Sequence, residues 1–91
     1  METNTVPDLA SISTTIKALV AEVAGQPPDT IDDATGLDTI AIDSLMVVEV
    51  VVGVQRSLGV EVPPSEFRAD IRTVGDLTRS LGTYVHAQLG A

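Results

Sequence analysis

The hydroxyl of Ser44 is the side-chain group in this sequence best placed to do chemistry. Ser44 lies between Asp43 and Leu45, at the point where an acidic segment gives way to an apolar run. The first N–H groups of a helix have no intrahelical partner, and the helix dipole leaves partial positive charge there. If the apolar run is a helix, a phosphate ester on Ser44 is therefore electrostatically favoured. The residues alone leave an alternative, in which Asp43 or Ser44 simply caps the helix.

Other kinds of chemistry find little support in the sequence. A nucleophilic serine needs a general base in reach, and the one histidine, His86, falls in the last turns of the final apolar segment. The absence of cysteine excludes a disulfide or a thiolate supplied by the chain. Four aspartates are close in sequence, but their spacing does not match a calcium-binding loop: Asp29, Asp32, Asp33 and Asp38. The sequence therefore predicts neither an enzyme nor a metal site.

The composition and the charge limit the class of protein. Ninety-one residues, 44% of them hydrophobic, suit one domain over residues 1–91 with a modest core, and Met1 favours a free-standing protein. No apolar run reaches membrane-spanning length, so we expect a cytoplasmic protein without a membrane role. The net charge of −8, with no basic residue from Asp29 to Glu49, disfavours nucleic acid as a partner. This acidic stretch favours a basic partner surface, although a solvated loop kept for solubility explains it equally well.

The elements that position Ser44 are predicted from apolar spacing and helix caps. Asp8 is a good N-cap for a first helix over residues 8–24, preceded by a flexible tail at 1–7. Residues 25–43 lack periodicity and form a long loop, which four apolar residues attach to the core: Ile31, Leu37, Ile40 and Ile42. Pro64-Ser65-Glu66-Phe67 favours the start of a short third helix, with proline in its first turn. Thr73 opens the final helix.

The stretch from 44 to 58 is the hardest to assign, because it contains six valines, which favour strands. Helical spacing nevertheless places one set of residues on a single face: Val47, Val50, Val51, Val54 and Leu58. The stretch is also too long for an ordinary strand, and Gly59 supplies a stop. We therefore predict a helix. Its opposite side carries Leu45, Val48 and Val52 around Glu49, which indicates either a docking patch or ordinary scattered surface residues.

From Leu37 through Leu77 the chain resembles the acyl carrier protein family. Asp43-Ser44-Leu45 matches the family's attachment motif, and Thr73-Val74-Gly75-Asp76-Leu77 resembles the entry to its final helix, with Thr73 and Asp76 as a capping box. The resemblance implies an all-α bundle of four helices, three longer and one short, with a long first loop. It also implies that a phosphopantetheinyl transferase attaches 4′-phosphopantetheine from coenzyme A to Ser44. The resemblance further implies that Asp43 orients or neutralises part of the complex with the transferase, in which a metal accompanies coenzyme A.

The function implied by the resemblance is carriage without catalysis. A monomeric carrier would hold acyl or polyketide intermediates as thioesters and present them to an acyltransferase, a ketosynthase or other synthase enzymes. In the family these enzymes bind mainly to the second helix. The implied docking residues are therefore Leu45, Val48, Glu49, Val52 and Arg56.

The chain departs from the fatty-acid carriers at a few positions. Met46, Gln55 and Arg56 stand where those carriers have acids, and Ala41 replaces the glycine usual three residues before the serine. These departures favour polyketide or related secondary metabolism. A fatty-acid carrier is the second possibility, a peptidyl carrier the third, and an unmodified helical adaptor belongs to a different class.

Overall fold

Three α-helices form around one apolar core in the computed structural model, which describes residues 7–63 and 71–90. α1 spans Leu9–Ala24, α2 spans Ser44–Leu58 and α3 spans Val74–Leu89. A 3-10 turn, Pro28–Thr30, lies in the loop between α1 and α2. The predicted all-α fold is confirmed. The short helix expected from Pro64 and all of the expected 1–7 tail except Pro7 lie outside the described residues.

The valine-rich segment is a helix, as its spacing predicts. Val50, Val51 and Val54 of α2 are buried, while Val47 and Leu58 pack partly against the same core. Each valine favours a strand by propensity, but burial of one whole face decides the conformation because tertiary packing supplies most helix stability. Gly59 ends α2 in the left-handed conformation, with φ of 68°.

α1 packs against both other helices, whereas α2 and α3 make few close approaches to each other. Its buried stripe is Ile12, Ile16, Val20 and Ala21. Leu9 lies beside Gly82 and Thr83 in the second half of α3, and Lys17 pairs with Asp33 beside the start of α3, so α1 and α3 run in opposite directions.

The long loop is attached to the start of α3 by three backbone hydrogen bonds. The N–H of Leu37 donates to the Arg72 carbonyl at 2.9 Å, that of Val74 to Thr35 at 2.8 Å, and that of Gly75 to Asp33 at 2.9 Å. Two of these bonds satisfy N–H groups in the first turn of α3, which no intrahelical carbonyl can reach. The loop is also held by its apolar side chains, as predicted, with Ile31, Leu37 and Ile42 buried and Ile40 partly buried.

The predicted capping box at the start of α3 is present. The N–H of Asp76 donates to Thr73 Oγ1 at 3.0 Å, and Asp76 Oδ2 accepts from the N–H of Thr73 at 3.1 Å. The same Oδ2 accepts from the N–H of Arg72, also at 3.1 Å. These bonds fix the chain on both sides of the α3 start. Within the described ranges, no helix combines the length and hydropathy needed to cross a bilayer.

Candidate functional site

Ser44 is the first residue of α2 and is exposed to solvent. The residue before it, Asp43, is the N-cap: its Oδ1 accepts a hydrogen bond from the N–H of Met46 at 2.9 Å. α2 therefore begins at Ser44, where the sequence predicts a helix start. The Ser44 hydroxyl lies where the partial positive charge of the helix end stabilises an added negative group.

Ser44 and the only histidine belong to opposite ends of the bundle. Ser44 lies beside Arg72, just before α3, whereas His86 is twelve residues beyond Val74, about 18 Å along the helix at 1.5 Å per residue. The pKa of Asp8, the N-cap of α1, is lowered mainly by the hydrogen bond from the backbone N–H of Ser11 and slightly by the nearby His86. His86 is thus too far from Ser44 to act as its general base.

A depression of about 280 Å³ opens beside Ser44. Its apolar lining consists of Leu37, Ile42, Val47 and Ile71, and its polar lining of Asp38, Asp43, Ser44 and Arg72. The depression lies between the end of the loop, α2 and the segment leading into α3. The part of a flexible group nearest to its attachment at the Ser44 hydroxyl can therefore lie against apolar surface instead of in water.

Two of the four loop aspartates, Asp32 and Asp33, make local contacts. Asp32 Oδ1 accepts hydrogen bonds from the N–H of Ala34 at 3.0 Å and from Thr35 Oγ1 at 3.1 Å. Asp33 Oδ1 lies 2.6 Å from Lys17 Nζ. Among the described residues, no three histidine, cysteine, aspartate or glutamate side chains lie together in a way that could hold a metal ion. These carboxylates shape the loop and tie it to α1.

Ala41 has a left-handed backbone, with φ of 60°, and no other non-glycine residue in the described ranges has a positive φ. This is the position where the family resemblance leads one to expect glycine. Alanine costs about 1–2 kcal/mol in this conformation because its Cβ approaches the following carbonyl oxygen. The loop just before Ser44 therefore keeps a turn suited to glycine, at the expense of backbone strain.

The residues expected to dock partner enzymes lie together on one surface. Leu45 is 69% exposed, Val48 45% and Val52 37%. With Glu49 and Arg56 they line a groove of about 540 Å³, whose other wall is formed by three residues of α1: Leu19, Glu22 and Val23.

The α1 wall was not foreseen, because the helical pattern of α1 assigns Leu19 and Val23 simply to its core-facing stripe. In the structure both are only partly buried, at the edge of the core where α1 meets α2. Arg72 was likewise not singled out from the sequence, although it lines the depression beside Ser44. A polar residue directly before a helix cap is a signal that could have drawn attention to it.

Comparison with known proteins gives consistent matches. The family model described as "Phosphopantetheine attachment site" matches residues 14–81, a range that contains all of α2. The chain is 34% identical over 74 residues to an acyl carrier protein of Bradyrhizobium sp. (strain ORS 278), covering 80% of this chain and 92% of that protein. It is 36% identical over 66 residues to an acyl carrier protein of Acidothermus cellulolyticus, covering 71% of this chain and 77% of that protein.

The fold also has a counterpart among solved structures. The NMR structure of the HMG-ACPI domain from the CurA module of Lyngbya majuscula is similar over 100% of this chain and 89% of that one. The TM-score is 0.68 and the sequence identity is 19%. This likeness supports the three-helix architecture described above.

Proposed function

Because the chain belongs to the acyl carrier protein family, we propose that Ser44 is the residue to which its 4′-phosphopantetheine arm is attached. The protein is a carrier without catalytic activity of its own, and phosphopantetheine is its prosthetic group. The observation that carries the proposal is the position of Ser44, exposed at the first residue of α2 and within the matched range. The terminal thiol of the bound arm supplies the chemistry, since it holds acyl groups as thioesters.

The residues around Ser44 fit such an arm. The start of α2 favours the negative charge of a phosphodiester, and Asp43 fixes that start through its bond to Met46. The neighbouring depression offers apolar surface to the less polar part of the arm. The chain's own role is thus to hold the arm at a rigid helix end, which raises the effective concentration of its cargo at each partner enzyme.

Partner enzymes would dock on the groove between α1 and α2. Leu45, Val48 and Val52 offer apolar contact there, and Glu49 offers one carboxylate. A carrier must leave each partner, so a small surface of this kind suits brief association. The partners would be a phosphopantetheinyl transferase and then acyltransferase, ketosynthase or other synthase enzymes, met in the cytoplasm.

The pathway assigned by this proposal is polyketide or related secondary-metabolite biosynthesis. Glu49 is the only acid of α2, and Arg56 adds a positive charge to its last turn. This helix is less suited to the basic enzyme surfaces that favour fatty-acid carriers, because attraction between opposite charges governs encounter and partner choice. Fatty-acid synthesis is the alternative, and it requires those enzymes to accept the loaded protein efficiently.

The attachment site is tested by intact mass after incubation with coenzyme A and a broad-specificity transferase. The wild-type chain should gain the mass of one phosphopantetheine, and Ser44→Ala should gain none while retaining its helical circular dichroism. Ser57→Ala, which changes an exposed serine near the other end of α2, is the matched control and should load normally. Loading of Ser44→Ala would place the arm elsewhere, and an unloaded wild type would indicate an unmodified adaptor.

A further inference from the structure

The arginine just before the N-cap of α3, Arg72, shares the depression with Ser44. Its backbone is held on both sides: its N–H donates to Asp76 Oδ2 at 3.1 Å, and its carbonyl accepts from the N–H of Leu37 at 2.9 Å. The fixed backbone limits where the side chain can reach. The exposed Arg72 side chain therefore extends from a fixed point at the edge of the depression.

The charges of the depression are unbalanced even before modification. Among the described residues that line it, Asp38 and Asp43 are acidic and Arg72 alone is basic. A phosphodiester on Ser44 adds a further negative charge beside Asp43. Such a group gains most from a nearby cation in a partly apolar setting, where water screens the interaction less than in bulk.

We propose that Arg72 is a positioning residue that pairs with the phosphodiester of the arm on Ser44. The planar guanidinium group can donate two parallel hydrogen bonds to phosphate oxygens, a geometry that lysine cannot reproduce. The pair holds the first part of the arm over the depression, next to Leu37 and Ile71, and so limits the directions in which the arm leaves Ser44. This inference depends on Ser44 being the attachment site.

The pairing acts through the Arg72 side chain alone, so substitutions can isolate it. Arg72→Gln removes the charge and leaves the two backbone hydrogen bonds available. Arg72→Lys keeps the charge and loses the two-pronged geometry. Arg79→Gln is the matched control: it removes an exposed arginine of α3 that lines a different depression and whose Nη1 lies 3.8 Å from Asp76 Oδ1. It therefore also reports whether a change of charge next to Asp76, which holds the Arg72 backbone, alters the resonance by itself.

The test uses the loaded proteins, whose modification is first established by intact mass. The phosphorus resonance of the arm is recorded by ³¹P NMR at low and high salt, and the arginine Nε–H resonances by ¹⁵N NMR before and after loading. We expect the Arg72 Nε–H resonance to move on loading. We also expect the phosphorus resonance of Arg72→Gln to differ from wild type, with a difference that shrinks as salt is added. Arg72→Lys should fall between the two, and Arg79→Gln should match wild type.

Two results would overturn the inference. One is a phosphorus resonance that is the same in Arg72→Gln and wild type together with an unmoved Arg72 Nε–H. The other is a difference that does not respond to salt, since that would report a rearranged loop. Failure of the wild-type protein to gain mass would instead contradict the assignment of Ser44, so the two proposals fail in distinguishable ways.

Discussion

The N–H of Met46 donates a 2.9 Å hydrogen bond to Asp43 Oδ1, which makes the residue before the candidate attachment serine a helix cap. The family resemblance gives the same carboxylate a second role, in the complex with the transferase. The two roles are compatible, because the cap uses one carboxylate oxygen and the N-cap side chain lies at the exposed end of α2. They also depend on different properties, since capping needs an acceptor oxygen and the transferase role needs charge.

Substitution of Asp43 separates these properties. Asp43→Ala should lower the free energy of unfolding by about 1 kcal/mol, whereas Asp43→Asn should change it little because asparagine caps equally well. If the charge assists the transferase, both variants should load more slowly than wild type. Urea unfolding of the unmodified proteins and the rate of mass gain measure the two effects. Normal loading of Asp43→Asn would limit the role of Asp43 to capping.

Ala41→Gly should stabilise the protein. The left-handed backbone of Ala41, with φ of 60°, is strained for alanine and relaxed for glycine, although glycine gains freedom in the unfolded chain. We expect a net rise of up to about 1 kcal/mol in the free energy of unfolding, measured by urea denaturation. Ala34→Gly, an exposed loop alanine without a positive φ, is the control and should destabilise. Equal effects of the two substitutions would show that Ala41 is not strained.

The sequence predicted those features that depend on local patterns. The helical face of α2 and the Thr73 and Asp76 capping box each involve residues within a few positions of one another. The groove wall formed by Leu19 and Val23 was not predictable, because it depends on how α1 lies against α2. The depression that Arg72 shares with Ser44 likewise depends on where the loop attaches to the start of α3.

The need for glycine at position 75 also depends on how the loop lies against the start of α3. A Cβ atom added to Gly75 would lie 2.8 Å from the carbonyl oxygen of Asp33, closer than real Cβ contacts allow. Gly75→Ala should therefore push the loop away from α3 and lower the free energy of unfolding by about 1–3 kcal/mol.

Gly82→Ala is the matched control for Gly75→Ala, within the same helix. Its added Cβ would meet only side-chain carbons, the nearest at 3.7 Å, which is ordinary contact. Alanine is favoured over glycine inside a helix by about 1 kcal/mol, so this variant should be at least as stable as wild type. Thermal unfolding of both variants measures the contrast, and equal loss in both would contradict the role given to Gly75.

Asp76 makes the stability of the α3 start depend on pH. Hydrogen bonds from the backbone N–H groups of Arg72 and Thr73 lower the pKa of Asp76 below its usual 3.8. Because the folded pKa is the lower one, the ionised carboxylate contributes stability well above pH 3.8 and loses it as the pH falls through the folded value.

Asp76→Asn should therefore be less stable than wild type at neutral pH. The difference in the free energy of unfolding between the two proteins should narrow as the solution is acidified past pH 3.8. Urea unfolding on both sides of that pH measures this difference. Asp29→Asn removes the same charge from the exposed Pro28–Thr30 turn and serves as the control. If this difference for Asp76→Asn stayed constant with pH, ionisation of the Asp76 carboxylate would not contribute to stability.

Partner choice should depend on the groove between α1 and α2. In the loaded protein, Val48→Ala removes exposed apolar contact and Glu49→Lys reverses the one carboxylate of α2. Each should slow transfer from the cognate enzyme a few-fold, corresponding to about 1 kcal/mol of docking energy, without loss of fold. Arg56→Glu should improve use by fatty-acid enzymes, because it replaces a charge that repels their basic surfaces.

The matched control for Val48→Ala is Leu9→Ala, which shortens an exposed apolar residue outside the groove, 41% exposed at the start of α1. Transfer by Leu9→Ala should match wild type, because this residue packs beside Gly82 of α3 and does not line the groove with α2. Transfer rates for all four loaded variants, with circular dichroism to verify folding, decide the question. Unchanged rates for the three groove variants would move recognition to another surface, and the acidic loop from Asp29 to Asp38 would be the first to test.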